Sequence, residues 1–168
     1  MIHAAALLLA LAGPGWAEGA AARMDPCLRE TDAEFRRSAA LDLADRWARL
    51  EVLAAGESRC LVAVTTACTK RGGGAACFDD MLAWAAPARR AAVLHLPEAM
   101  GFGPPTLIAG YAQWREQALA ALDHPTFAGY PLAADAPPAA CAALEAGTGF
   151  LRARDWARMI AVIDEVAR

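Results

Sequence analysis

Five cysteines follow a short apolar leader, and together these two features narrow the folds open to this chain. The leader runs from Ile2 to Ala12, with Ala4-Ala5-Ala6-Leu7-Leu8-Leu9 at its centre. Gly13-Pro14-Gly15 breaks it, and Trp16-Ala17 precedes the polar Glu18. Gly15 and Ala17 are small residues at the two positions a signal peptidase reads, which places cleavage after Ala17, with Ala22 as the alternative. About eleven apolar residues are too few for a bilayer, which needs about 20. Residues 1–17 therefore read as a cleaved signal peptide and residues 18–168 as one helical domain. The product is expected to be periplasmic or secreted, with no membrane span in the mature chain. Cys27 stands behind Met24-Asp25-Pro26, which is not a lipobox, so a soluble product rather than a lipoprotein is expected.

Thiols that leave the reducing cytosol become a disulfide framework, and five of them leave one over. Helical spacing prunes the pairings. Cys60 and Cys68 are eight residues apart, about 12 Å along a helix. A disulfide needs Cα atoms roughly 4.4–6.8 Å apart, so these two cannot pair within an intact helix. Cys68 and Cys77 flank Gly72-Gly73-Gly74 and can face each other across a hairpin. Cys27, Cys60 and Cys141 remain. One straight helix over residues 26–55 would hold Cys27 and Cys60 at opposite ends, whereas a break near Ser38 would let them meet. A zinc site at Cys60, Cys68 and Cys77 is disfavoured, because structural zinc prefers closer CxxC-type pairs.

The rest of the chain reads as helix. Hydrophobic residues make up 57%, but alanine carries that figure and aromatics are only 7%. Alanine has the highest helix propensity, since it loses no side-chain entropy. Asp25-Pro26 has the form of a helix start. From there Leu28, Phe35, Ala39, Leu43, Trp47, Leu50 and Ala54 recur every three to four residues, with Gly56 expected to end the run. A second helix is expected over Ser58–Lys70 and a third from about Ala75, ended or kinked at Pro87. Thr106 opens a fourth, closed by Asp123-His124-Pro125. Residues 126–136 read as a loop carrying Phe127 and Tyr130. A short helix over Pro138–Ala146 is expected to stop at Gly147, before a last one with Leu151, Trp156, Met159, Ile163 and Val166. No stretch alternates as a strand would. The expected fold class is all-α: a small, disulfide-stapled bundle of about five helices.

The stretch from Cys60 to Cys141 resembles the LprI-type lysozyme-inhibitor domain family, small exported helical proteins of bacteria. Arg59-Cys60-Leu61, Cys68, the glycine turn, Cys77-Phe78-Asp79 and Trp84 resemble its cysteine-rich opening. Tyr111-Ala112-Gln113-Trp114-Arg115-Glu116 resembles its aromatic-x-x-aromatic-Arg-acid signature, with Tyr and Trp exchanged. Pro137-Pro138-Ala139-Ala140-Cys141 with Leu144 resembles its last cysteine helix. The resemblance implies Cys68–Cys77 and Cys27–Cys60 disulfides. Leu119 stands where the family places a further cysteine, which leaves Cys141 as a free or intermolecular thiol.

A net charge of −3 supplies no basic face, so nucleic acid is not an expected partner. No spacing draws His95 or His124 towards Ser38, Ser58 or a carboxylate as a hydrolytic site would require. No catalytic residue, metal or cofactor is expected, and the chain reads as a non-enzyme. Asp79-Asp80 reads as compensation of a helix dipole. Trp114 is expected to pack inward, with Arg115 paired to an acid or laid over an aromatic ring. The contact reading of this region assigns Tyr111, Trp114, Arg115, Phe127 and Tyr130 to a binding surface, since aromatics and Arg anchor interfaces. The expected function is that of an exported binding protein, lysozyme-inhibitor-like, acting on a protein partner in the cell envelope, with a muramidase as the candidate. The alternatives are an envelope assembly protein that dimerises through Cys141 and a small hydrolase.

Overall fold

The computed structural model describes residues 19–70, 74–123 and 138–168. The leader, His124 and the loop with Phe127 and Tyr130 lie outside those residues. Five helices follow one another: α1 (Ala20–Ser38), α2 (Leu43–Lys70), α3 (Gly74–His95), α4 (Pro105–Asp123) and α5 (Pro138–Val166). The described residues contain no strand. None of these helices is long and apolar enough to cross a membrane.

Of the two alternatives left open for residues 26–55, the break near Ser38 is the one present. Ser38 Oγ donates to the Phe35 carbonyl as α1 ends. Asp42 then caps α2, its carboxylate accepting the Asp45 amide at 2.9 Å. A side-chain acceptor at that position satisfies one of the four orphan amides of a helix start. The turn folds α2 back along α1, and Cys27 and Cys60 meet in a disulfide with Cα atoms 6.5 Å apart. Cys68 and Cys77 form the second, at 5.5 Å, between the end of α2 and the start of α3. Cys141 is free and half-buried.

Three expected boundaries are corrected. α1 starts at Ala20 rather than at Asp25, because Asp80 of α3 accepts the Ala20 amide at 2.6 Å and caps the helix from outside. Asp80 thus complements the dipole of α1, not that of its own helix. Gly56 does not end a helix, and α2 passes through it to Lys70. There α1 lies close, and a Cβ on Gly56 would sit 3.8 Å from the Thr31 methyl. Gly147 is likewise interior to α5. A Cβ there would lie 2.8 Å from Leu61 Cδ1, so this glycine admits α2 rather than stopping α5. Pro87 is exposed within α3, which continues to His95.

The most extensive helix interface joins α3 to α5, with α1 on α2 and α2 on α5 next. Two cores result. The first gathers Met24, Leu61, Cys68, Phe78, Met81 and Leu151 around the disulfide end. The second gathers Val93, Tyr111, Trp156, Ile160 and Ile163 at the other end. Burial of such side chains contributes about 1.5–3 kcal/mol each.

Candidate binding site

The polar groups that converge in the bundle interior come from three helices. Thr31 and Asp32 stand on α1, Glu57 on α2, and Arg154 and Arg158, one turn apart, on α5. Glu57 is fully closed to solvent. Its Oε1 accepts from Thr31 Oγ1 at 2.6 Å, Arg158 Nη2 at 2.6 Å and Arg154 Nη2 at 2.8 Å. Asp32 Oδ1 accepts from the same two arginines at 2.7 and 3.1 Å. Phe150 lies 5.6 Å from the Arg154 guanidinium and Phe35 lies 5.9 Å from that of Arg158, both within cation–π range. Burial pushes the Glu57 carboxyl up, but hydrogen bonds from Arg154, Arg158 and Thr31 outweigh it and hold the group below its ordinary value. Two acids face two arginines, so this cluster is neutral, although Glu57 Oε2 and Arg158 Nη1 are buried without a hydrogen-bond partner among the described residues. It holds α1, α2 and α5 together and offers little charge to a ligand.

Beside it, between α2 and α5, lies a cavity of about 460 Å³. Trp47, Leu50 and Ala54 form its wall on α2, and Met159 faces them from α5. Glu51, Arg152 and Asp155 bring charge to it. Positions 47, 50, 51 and 54 share one face of a helix, as do 152, 155 and 159, so two facing stripes make the groove. Asp155 has its carboxyl pushed up to about 6. Burial is the main cause and the charge of Glu57 the second, opposed by Arg158, Arg152 and Arg154. No hydrogen bond from the described residues relieves it. Arg152 sits 5.7 Å over the Trp156 ring, which packs edge-on against Tyr111 at 5.2 Å.

A second groove, about 530 Å³, lies between α1 and α2 over the Cys27–Cys60 disulfide. Part of its rim is paired, since Glu34 holds Arg37 at 2.6 Å and Arg49 at 3.4 Å. Between α3 and α5, Arg89 and Glu145 form a buried pair at 3.3 Å.

The residues expected to bind are partly brought together. Tyr111 is fully buried, and its hydroxyl donates to the Pro97 carbonyl, so its ring is core and cannot meet a partner. Burial raises its phenol above the ordinary value against the opposing charge of Arg115. Trp114 is half-buried in the same cluster, 6.2 Å from Tyr111 and 5.8 Å from Trp156. Arg115 is half-buried, with Nε closed to solvent; among the described residues it makes no ion pair and lies over no ring. Phe127 and Tyr130 lie outside the described residues. Ser58 is interior to α2 and caps nothing, and His95 is exposed at the end of α3. Among the described residues no group of three or more His, Cys, Asp or Glu side chains is placed to hold a metal ion.

Sequence reasoning missed Trp47, Asp155 and the Glu57 cluster. A glutamate within an otherwise apolar α2 face and two arginines at i, i+4 on α5 were the available signals. No family model, no curated protein and no solved structure matches the chain.

Proposed function

We propose that this chain is an exported helical protein of the cell envelope that acts by contact with a protein partner through the α2–α5 groove. The observation that carries the reading is the groove itself, walled by Trp47, Leu50 and Met159 with the half-buried Asp155 carboxyl among its lining groups. Aromatic and apolar side chains gathered in a groove with a polar group at hand are the kind of surface that interface anchors fill. The two disulfides support export, since such bonds persist in oxidising compartments. Cleavage after Ala17 would leave α1 and its Asp80 cap intact, whereas cleavage after Ala22 would remove the start of α1 together with the Ala20 amide that Asp80 caps.

A muramidase is the first partner to test, on the resemblance of the Cys60–Cys141 stretch to lysozyme-inhibitor domains. Purified mature protein should inhibit lysozyme tightly and saturably. No inhibition at high micromolar protein removes that partner. One observation favours a second reading, assembly in the envelope: Cys141 stays outside both disulfides. A non-reducing gel decides it, because a monomer with one titratable thiol counts against a disulfide-linked dimer.

A further inference from the structure

We propose that the α2–α5 groove takes the cationic end of an arginine or lysine side chain presented by the protein partner, with Asp155 and Trp47 as the groups that recognise it. The inference rests on the contact reading above and names the chemistry the groove selects.

Size comes first. A cavity of about 460 Å³ is in the range of small-ligand sites and admits a long side chain with room for its backbone at the mouth. Charge comes second. Glu51 and Asp155 bring two carboxylates to the groove, and Arg152 brings one guanidinium. Arg152 is already engaged over the Trp156 ring. An incoming anion would meet two like charges, and a wholly apolar ligand would cover Asp155 without offering it a hydrogen bond. A cation supplies what the carboxyl lacks, since an ionised acid out of water is stabilised by a partner charge and a hydrogen bond.

Shape comes third. Arginine and lysine carry their charge on a hydrocarbon stem that lies along apolar surface. Leu50, Ala54 and Met159 offer that surface, and Trp47 offers an indole, the ring that attracts cations best.

The charges around Asp155 define how acid acts on binding. Glu51 and Glu57 face the region from α2, and Arg152, Arg154 and Arg158 flank Asp155 on α5. Asp32 of α1 is held by Arg154 and Arg158. Cation binding requires Asp155 ionised, so affinity falls as pH drops through about 6.

The test uses the whole mature protein and two probes of nearly equal shape, Nα-acetyl-arginine amide and its neutral counterpart Nα-acetyl-citrulline amide. The readouts are the Trp47 indole NMR signal and calorimetry. The arginine probe should shift the Trp47 signal saturably, with the citrulline probe about tenfold weaker or more. Asp155→Asn should weaken the arginine probe by about tenfold or more and leave the citrulline probe unaffected. Trp47→Leu should weaken arginine binding with the helical circular dichroism unchanged. An arginine probe that leaves Trp47 unmoved at millimolar concentration overturns the proposal, and so does equal binding of the two probes or an unaffected Asp155→Asn variant. The partner assay is separate: if the arginine probe binds but no envelope protein does, the contact reading falls and the cation site stands.

Discussion

Arg158 Nη2 lies 2.6 Å from Glu57 Oε1, and the two side chains, 101 residues apart in the chain, are shut off from water together. This pair makes the contact of α2 with α5 conditional on charge balance. Removing one member strands the others in a medium that solvates ions poorly.

Glu57→Gln should therefore destabilise the fold by about 3–5 kcal/mol, the usual cost of an uncompensated buried charge. The amide can still accept the Thr31 hydroxyl but leaves Arg154 and Arg158 short of an anion. Urea unfolding of the purified variant measures the loss. The same group sets an acid limit. The folded state holds the Glu57 carboxyl below its ordinary 4.5, so its contribution is present above that pH and is lost as pH falls through the lowered value.

Asp155 has the opposite sign. Its folded carboxyl titrates at about 6 against an ordinary 3.8, so the protonated form is the one the fold favours. That stabilisation is full below about 3.8 and is lost as pH rises through about 6. Asp155→Asn should stabilise the protein at pH 8 by about 1–2 kcal/mol, after allowance for solvent screening, and by almost nothing at pH 4. Thermal melts at the two pH values check the contrast.

Two glycines inside helices should respond in opposite ways to alanine. Nothing lies within 4 Å of a Cβ on Gly110 in α4, so Gly110→Ala should gain about 0.5–1 kcal/mol from helix propensity. A Cβ on Gly149 in α5 would sit 2.6 Å from Arg89 Nε and 2.9 Å from its Cδ. Arg89 is buried and held to Glu145, so Gly149→Ala should cost a net of about 1–2 kcal/mol. Denaturant midpoints of the two variants should move in opposite directions.

The two disulfides should differ in worth. Cys27–Cys60 closes a separation of 33 residues and Cys68–Cys77 one of 9. Loop-closure entropy gives about 3.7 kcal/mol for the first and about 2.6 kcal/mol for the second. Replacing Cys27 and Cys60 together by alanine should lower the unfolding free energy more than replacing Cys68 and Cys77. Equal losses would mean that native packing, not the unfolded chain, sets the difference.

The helices and one covalent link were legible in the residues alone. Alanine-rich runs with apolar positions three and four apart have one low-energy local conformation, and Cys68 and Cys77 sit too close to a glycine turn to avoid each other. The ends of those helices were harder. Gly56 and Gly147 carry the local signal of a stop, yet each is interior to a helix, and at Gly147 a Leu61 side chain of α2 occupies the space a Cβ would need. Asp80 was legible as dipole compensation, but the helix it serves is α1.

Local propensity and spacing, then, were enough for the all-α class, the break near Ser38 as a condition and the Cys68–Cys77 link, since all depend on residues within a few turns of one another. Folding alone could gather Thr31, Asp32, Glu57, Arg154 and Arg158 into one cluster and set Asp155 across from Trp47. Those groups lie on separate helices, and their protonation and pairing depend on how closely the helices cross and how much water the crossing expels.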